Sequence, residues 1–354
     1  MERLLVETLY LDHAATTPMT AAARAAVANG MERWANPSSP HAAGRAARAA
    51  LEQARGTVGA AYGWTGDVLF TSGASESLSI ALGRTTMGRT MVSAVEHDAV
   101  LRAAPYAQVL PVDALGRVDP SAIGDVDGAL VAVQWCNSET GVKQPVAAIA
   151  AAAHAGGGRL LVDAAQMPTD AALADYADLI ALSAHKRGGP PGIGALLVRD
   201  LSLLHPSGGQ ERGYRPGTEN LPGVLGYAAA LSEPEPDHAP LRHMLDDAIR
   251  RSGGEVVGDG AERHPAIGAY RMPGVTSAAQ LIRFDLDGIA VSAGSACASG
   301  SLKPSHVLRA MGWSEEATRE VVRVSFGRTT GMAEVERFVG AWRAVARTGR
   351  RFAA

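Results

Sequence analysis

The stretch "DLIALSAHKRGGPPGIGALLVR", residues 178–199, sets an apolar run against a lysine, a Gly/Pro-rich loop and a second apolar run. Runs this short, bounded by turn formers, read as buried strands, and Lys186 falls just past the end of the first. Working outward, "DVLFTSG" (67–73), "TMVSAVEH" (90–97), "AQVLPVD" (107–113), "GALVAVQW" (128–135) and "RLLVDAAQ" (159–166) repeat the pattern between Ala-rich helical tracts. With the two runs of 178–199 they make seven candidate strands. Continuous apolar strands alternating with helices predict an α/β domain with a mainly parallel sheet, flanked by helices and buried on both faces. In such sheets ligands collect at the carboxyl ends of the strands, where Ser72, His97, Asn137, Asp163 and Lys186 all fall.

At 354 residues and 47% apolar content, the chain is long enough for one large domain and a smaller one. The Pro- and acid-rich "LSEPEPDHAP" (231–240) reads as the connection between them. The expected division is an N-terminal segment 1–14 joining the small domain, a large domain 15–235, and a small α+β domain 236–354. Lys and Arg total 33 against 36 Asp and Glu, a net charge of -3, which argues against direct nucleic-acid or membrane-surface binding. The opening residues lack the pattern of a secretory signal, and no apolar run reaches membrane-spanning length, so a cytoplasmic protein is expected.

Several side chains have a chemical reading beside a plainer one. A lysine at a strand end can be a desolvated amine that condenses with an aldehyde, and an exposed surface lysine fits the local sequence as well. Asp163, after three apolar residues, is costly to bury without a cationic partner, such as a pyridinium nitrogen, unless it only caps the next turn. "FTSGASES" (70–77) enters a helix and offers backbone N–H groups and the Ser72 and Ser75 hydroxyls to a phosphate, or is a simple cap. His97 can stack on an aromatic ring and move protons, or be structural. Arg328, after "VRVSF", can grip a carboxylate or sit exposed. The chain has two cysteines. Cys297 lies in "SAGSACASGSLKPS" (292–305), a small-residue loop suited to carrying a sulfur between positions, whereas Cys136 follows an apolar strand and reads as packing or site lining.

Assembled, these segments resemble the cysteine desulfurases, pyridoxal phosphate (PLP) enzymes of fold type I and class V, in the branch serving iron–sulfur clusters and tRNA thiolation. "YLDHAATTP" (10–18), "NSETGVKQPV" (137–146), "GGQERGYRPGTEN" (208–220), "AGSACASGSLKPSHVLRAMG" (293–312) and "VRVSFGRTT" (322–330) carry the match with those quoted above. The resemblance implies a large domain with a seven-stranded sheet, and residue roles. Lys186 would hold PLP, Asp163 would pair with its ring nitrogen, Gln166 would bind the ring hydroxyl, and His97 would stack on the ring. Ala74, Ser75, Ser183 and His185 would hold the phosphate. Thr218 would reach the neighbouring subunit's site, implying a homodimer. Arg328 would bind the substrate carboxylate. The family usually has Asn where this chain has Ser138, its own Asn137 lying one position earlier, so both are candidates to face the cofactor and Asn137 to touch substrate. Cys297 would attack the sulfur of L-cysteine and pass it, as a persulfide, to an acceptor such as a scaffold protein or tRNA-thiolation enzyme. Alternatives are a selenocysteine lyase or another class V PLP enzyme, and a PLP-free cysteine hydrolase or transferase.

Overall fold

The structure, a computed structural model, describes residues 8–33, 35–293 and 304–352, with side chains up to residue 348. Its strands run β1 (Leu9–Tyr10), β2 (Asp67–Thr71), β3 (Arg89–Ser93), β4 (Gln108–Leu110), β5 (Ala129–Gln134), β6 (Arg159–Asp163), β7 (Leu179–Ser183), β8 (Gly194–Val198), β9 (Glu255–Val256), β10 (Ile267–Arg271), β11 (Ile289–Ala290), β12 (Ser292–Ala293) and β13 (Val321–Ser325). The seven strands expected from the apolar runs form one sheet in the order β2-β8-β7-β6-β5-β3-β4. Only β8 opposes its neighbours; every other pairing is parallel.

Alternation within the apolar strands explains why they carry no polar face. Phe70, Val131, Val162, Leu182 and Leu197 pack on one side, in a core shared with helices Ala42–Ala61, Val146–Ala155 and Leu221–Leu231. Leu69, Leu130, Leu161, Ala181 and Leu196 pack on the other, under helix Ala74–Gly83. Both faces are thus withdrawn from water, and polar groups are left to the strand ends. Among the described residues no helix is long and apolar enough to cross a membrane.

A second core gathers Leu9 and Leu11 with Leu245, Tyr270, Phe284, Val322, Val324, Phe338 and Trp342. Its sheet has the order β12-β13-β10-β9, covered by helices Ala239–Arg251, Ser277–Leu286 and Met332–Phe352. β1 pairs in parallel with β11, so the N-terminal segment adds to this second core before crossing to the large sheet.

At the start of β8 the backbone runs against the turn that follows β2. A Cβ on Gly194 would lie 2.4 Å from the Leu182 carbonyl oxygen and 2.6 Å from Gly73 Cα, while Gly73 itself has φ 152°. Both glycines are therefore dictated by close approach and backbone shape. Gly194→Ala should destabilise the protein by roughly 1–3 kcal/mol through overpacking and displace the Ser72–Ser75 turn. Thermal denaturation checks this; an unchanged Tm would mean that β8 shifts freely.

Candidate active site

The carboxyl ends of β2, β3, β5, β6 and β7 open on one cavity of about 470 Å³. Ser72, Gly73, Ala74 and Ser75 line it from the turn after β2, His97 from the turn after β3, and Ser138 from the loop after β5. Asp163 and Gln166 follow β6, and Ser183, His185 and Lys186 close β7. A cavity of that size suits a compact cofactor with its substrate.

Lys186 lies at the centre. Its Nζ donates to the Ala14 carbonyl at 3.0 Å, and burial, helped by the charge of Arg323, pushes its pKa down to about 8 against the pull of Asp163. An amine so placed is a ready nucleophile toward an aldehyde. Asp163 accepts from the Ala165 N–H at 3.0 Å, so the capping reading holds as well as the buried-carboxylate one. Burial raises its pKa, opposed by that hydrogen bond and by His97 and Lys186. A cationic ring nitrogen would relieve this carboxylate.

His97 caps helix Asp98–Ala103, its Nδ1 accepting from the Ala99 N–H at 3.1 Å. The ring proton of the neutral imidazole therefore sits on Nε2. Burial lowers its pKa, with Lys186, Arg102 and His306 adding to the effect and Asp163 opposing it. Beside it Glu96 is fully buried, accepting from Ser93 Oγ and from the Gln134 N–H at 2.9 Å, and burial pushes it up to about 8.

The end of the cavity at helix Ala74–Gly83 is built from backbone. Helix Ala74–Gly83 starts at Gly73 without a side-chain cap, so the N–H groups of its first turn are available to an anion. Glu76 instead accepts from the Ser72 N–H and pairs with Arg215 at 3.0 Å, steadying the turn. Gln166 Nε2 donates to the same Ala14 carbonyl as Lys186, at 3.0 Å. An amine of lowered pKa, a buried carboxylate short of a cation and an uncapped helix start together match what PLP asks of a protein. Cys136, 2% exposed, also lines the cavity, and burial pushes its thiol up to about 12, as expected of site lining.

One expectation is corrected, that Asn137 faces the cavity. Asn137 is turned away from the cavity: its Nδ2 donates to the Val95 carbonyl at 3.0 Å, and its Oδ1 accepts from the Glu139 and Thr140 N–H groups at 2.9 Å each. Its neighbour Ser138 lines the cavity instead. Arg328 lines an adjoining cavity of about 160 Å³ that Lys186 and Gln166 also line, and there Glu235 and the Pro234 and Arg187 carbonyls hold its guanidinium. The arginine that does line the main cavity is Arg323, 2% exposed, which donates to the Ser138 carbonyl at 2.9 Å and to Asp12 at 2.7 Å. A charge inside the valine run "VVRVS" was the signal for it. Thr218 is exposed and outside both cavities, and Cys297 lies outside the described residues.

Comparison with known proteins shows the family. Residues 9–338 match the model of the family Aminotransferase class-V. A cysteine desulfurase of Cereibacter sphaeroides is 37% identical over 94% of each chain. A NifS-like protein from Rickettsia africae superposes with a TM-score of 0.86 at 28% identity, over 96% of this chain and all of that one. A structure of SspA in complex with cysteine gives 0.80 at 28% identity, over 91% and 99%. A lysine and an aspartate at neighbouring strand ends, an uncapped helix start and these near-full-length likenesses lead to one conclusion: the chain belongs to the cysteine desulfurases of the class-V aminotransferase family.

Proposed function

We propose that this chain takes sulfur from L-cysteine, giving L-alanine and a persulfide on Cys297 that passes to an acceptor protein for iron–sulfur cluster assembly or tRNA thiolation. The observation that carries the reading is Lys186, withdrawn from water in one cavity with Asp163 below the uncapped start of helix Ala74–Gly83. PLP bound there supplies an electron sink for the substrate α-carbon. Lys186 Nζ holds the cofactor at rest and, once free, carries the α-proton. Asp163 would hold the ring nitrogen in its charged form, His97 would stack on the ring, and Gln166 would bind the ring hydroxyl. Ala74, Ser75, Ser183 and His185 would hold the phosphate.

We assign the carboxylate role expected of Arg328 to Arg323, because Arg323 lines the cavity that holds Asp163 and His97 as well as Lys186, whereas Arg328 shares only Lys186 and Gln166 of these. In the sulfur step the Cys297 thiolate forms an S–S bond to the substrate sulfur as the substrate C–S bond breaks. The bonding pair leaves with carbon, which ends protonated as alanine, so Cys297 is oxidised and the carbon reduced. By its likeness to the family the chain would act as a homodimer in which Thr218, exposed in the single chain, completes the partner's phosphate site.

Lys186 should govern cofactor capture. With a pKa of about 8, about a tenth of its amine is neutral at pH 7. The rate at which apo-protein takes up PLP, read from the visible cofactor band, should rise from pH 7 and level off near pH 9, and Lys186→Ala should give no band reducible by borohydride. A rate still climbing through pH 10 would mean an ordinary lysine. Arg323→Ala should raise KM for cysteine about 10–100-fold, from the loss of charged hydrogen bonds, and by more than Arg328→Ala does. The reverse order would restore the role to Arg328. Cys297→Ala should keep the cofactor colour yet form no alanine from cysteine; full turnover by that variant would sink the persulfide route.

A further inference from the structure

The stretch "EPEPD" (233–237) lies between helix Leu221–Leu231 of the first core and helix Ala239–Arg251 of the second. Each proline fixes its own φ and holds the residue before it extended, so Glu235, set between Pro234 and Pro236, is presented on stiff backbone. The stretch is also anchored just beyond it. His238, 5% exposed, donates from Nε2 to the Gly327 carbonyl at 3.0 Å, and Asp237 Oδ1 accepts from the Ala239 N–H at 2.9 Å. Held in this way, Glu235 Oε1 accepts from two guanidinium groups, Arg187 Nη2 at 2.6 Å and Arg328 Nη2, while Arg328 Nη1 donates to the Pro234 carbonyl.

Two cations thus share one carboxylate, and Glu235 is the only acid among the residues that line the smaller cavity. The Nε atoms of Arg187 and Arg328 are both buried without a hydrogen-bond partner among the described residues. Such donors are costly to bury unless an anion can reach them. The surplus of positive charge is felt by His264 in the same cavity, which burial and then Arg187 and Lys143 push down to about 3. This cavity meets the cofactor cavity at Ala14, Gln166 and Lys186, which line both. A carboxylate on a carbon served by Lys186 therefore has two directions open to it, toward Arg323 on one side and toward Arg187 and Arg328 on the other. Of the latter pair Arg328 is the easier to reach, with 20% of its side chain exposed against 9% for Arg187. Glu235, with 32% of its side chain exposed, makes the kind of partly solvated ion pair that a second carboxylate can displace.

We propose that Glu235 decides which arginine takes the substrate carboxylate: as an internal carboxylate it occupies Arg187 and Arg328 and leaves the substrate's own to Arg323. This assignment rests on the L-cysteine reading above and deepens it. A substrate carboxylate that enters the smaller cavity must first displace Glu235, and a site that is free for only a fraction of the time binds more weakly by that fraction. Without the charge at 235, Arg328 becomes available to the same carboxylate, so the substrate gains a hold that the parent protein denies it.

In the holoenzyme, Glu235→Gln should lower KM for L-cysteine about threefold to tenfold, and should lower by a similar factor the concentration of L-alanine that half-saturates the change in the cofactor band. L-Alanine brings the carboxylate with no sulfur to lose, so the second readout follows binding alone. The gain should run through Arg328, and Arg328→Ala added to Glu235→Gln should cancel it. Damage to the fold weakens binding and does not imitate a gain that a second substitution removes. Should Glu235→Gln fail to fold, Glu235→Ala is read in the same way. A fall of less than about threefold, a rise, or a gain that survives Arg328→Ala would overturn the proposal. A parent protein that forms no alanine from L-cysteine would overturn the cysteine reading instead, and the L-alanine titration still judges Glu235 there.

Discussion

Withdrawing a lysine amine and an aspartate carboxylate from water in one cavity is the constraint around which the molecule is arranged. Neither charge is comfortable there: Lys186 has its proton loosened and Asp163 has its own tightened, each mainly by burial. A site in this condition favours a guest that takes an amine into a covalent bond and offers a cationic nitrogen to a carboxylate. The sheet creates the condition. With both faces covered by helices, strands that end together leave their next polar residues no place except a shared cleft.

The same constraint decided what was legible in the sequence. Lys186 and Asp163 stood out because one lies just past an apolar run and the other at the end of one, and the seven runs were long enough to fix the sheet. Arg323 was passed over for a reason of register. Along β13, Val322 and Val324 face the second core while Arg323 and Ser325 turn to the cavities, so the strand itself presents an arginine to the site. Alternation was present in "VVRVSF" but short, and an arginine past the strand looked freer than one within it.

Asn137 and Ser138 show a finer limit. Both follow β5, and which one faces the cavity depends on a single side-chain decision, the Asn137 oxygen accepting from the backbone two and three residues on. Asn does this readily in turns, and doing so turns its neighbour inward. Ser305 Oγ donates to the buried Glu139 carboxyl at 2.6 Å, and this contact was beyond reading from sequence, since it links segments 166 residues apart.

The path of the N-terminal segment has a consequence for assembly. Ala14 takes a hydrogen bond from both Lys186 and Gln166 through its carbonyl, and its own N–H donates to Ser325 at 2.8 Å, across 311 residues of chain. Asp12 likewise waits for Arg323, equally far away. Contacts of such separation are slow to form, because the intervening loop must close before they reward the chain. The large sheet can therefore assemble during synthesis while the amine it carries still lacks its backbone acceptor. Completion of the site is deferred until β13 has been made, so a nascent chain remains unable to hold Lys186 in its working environment until residues 323–325 exist.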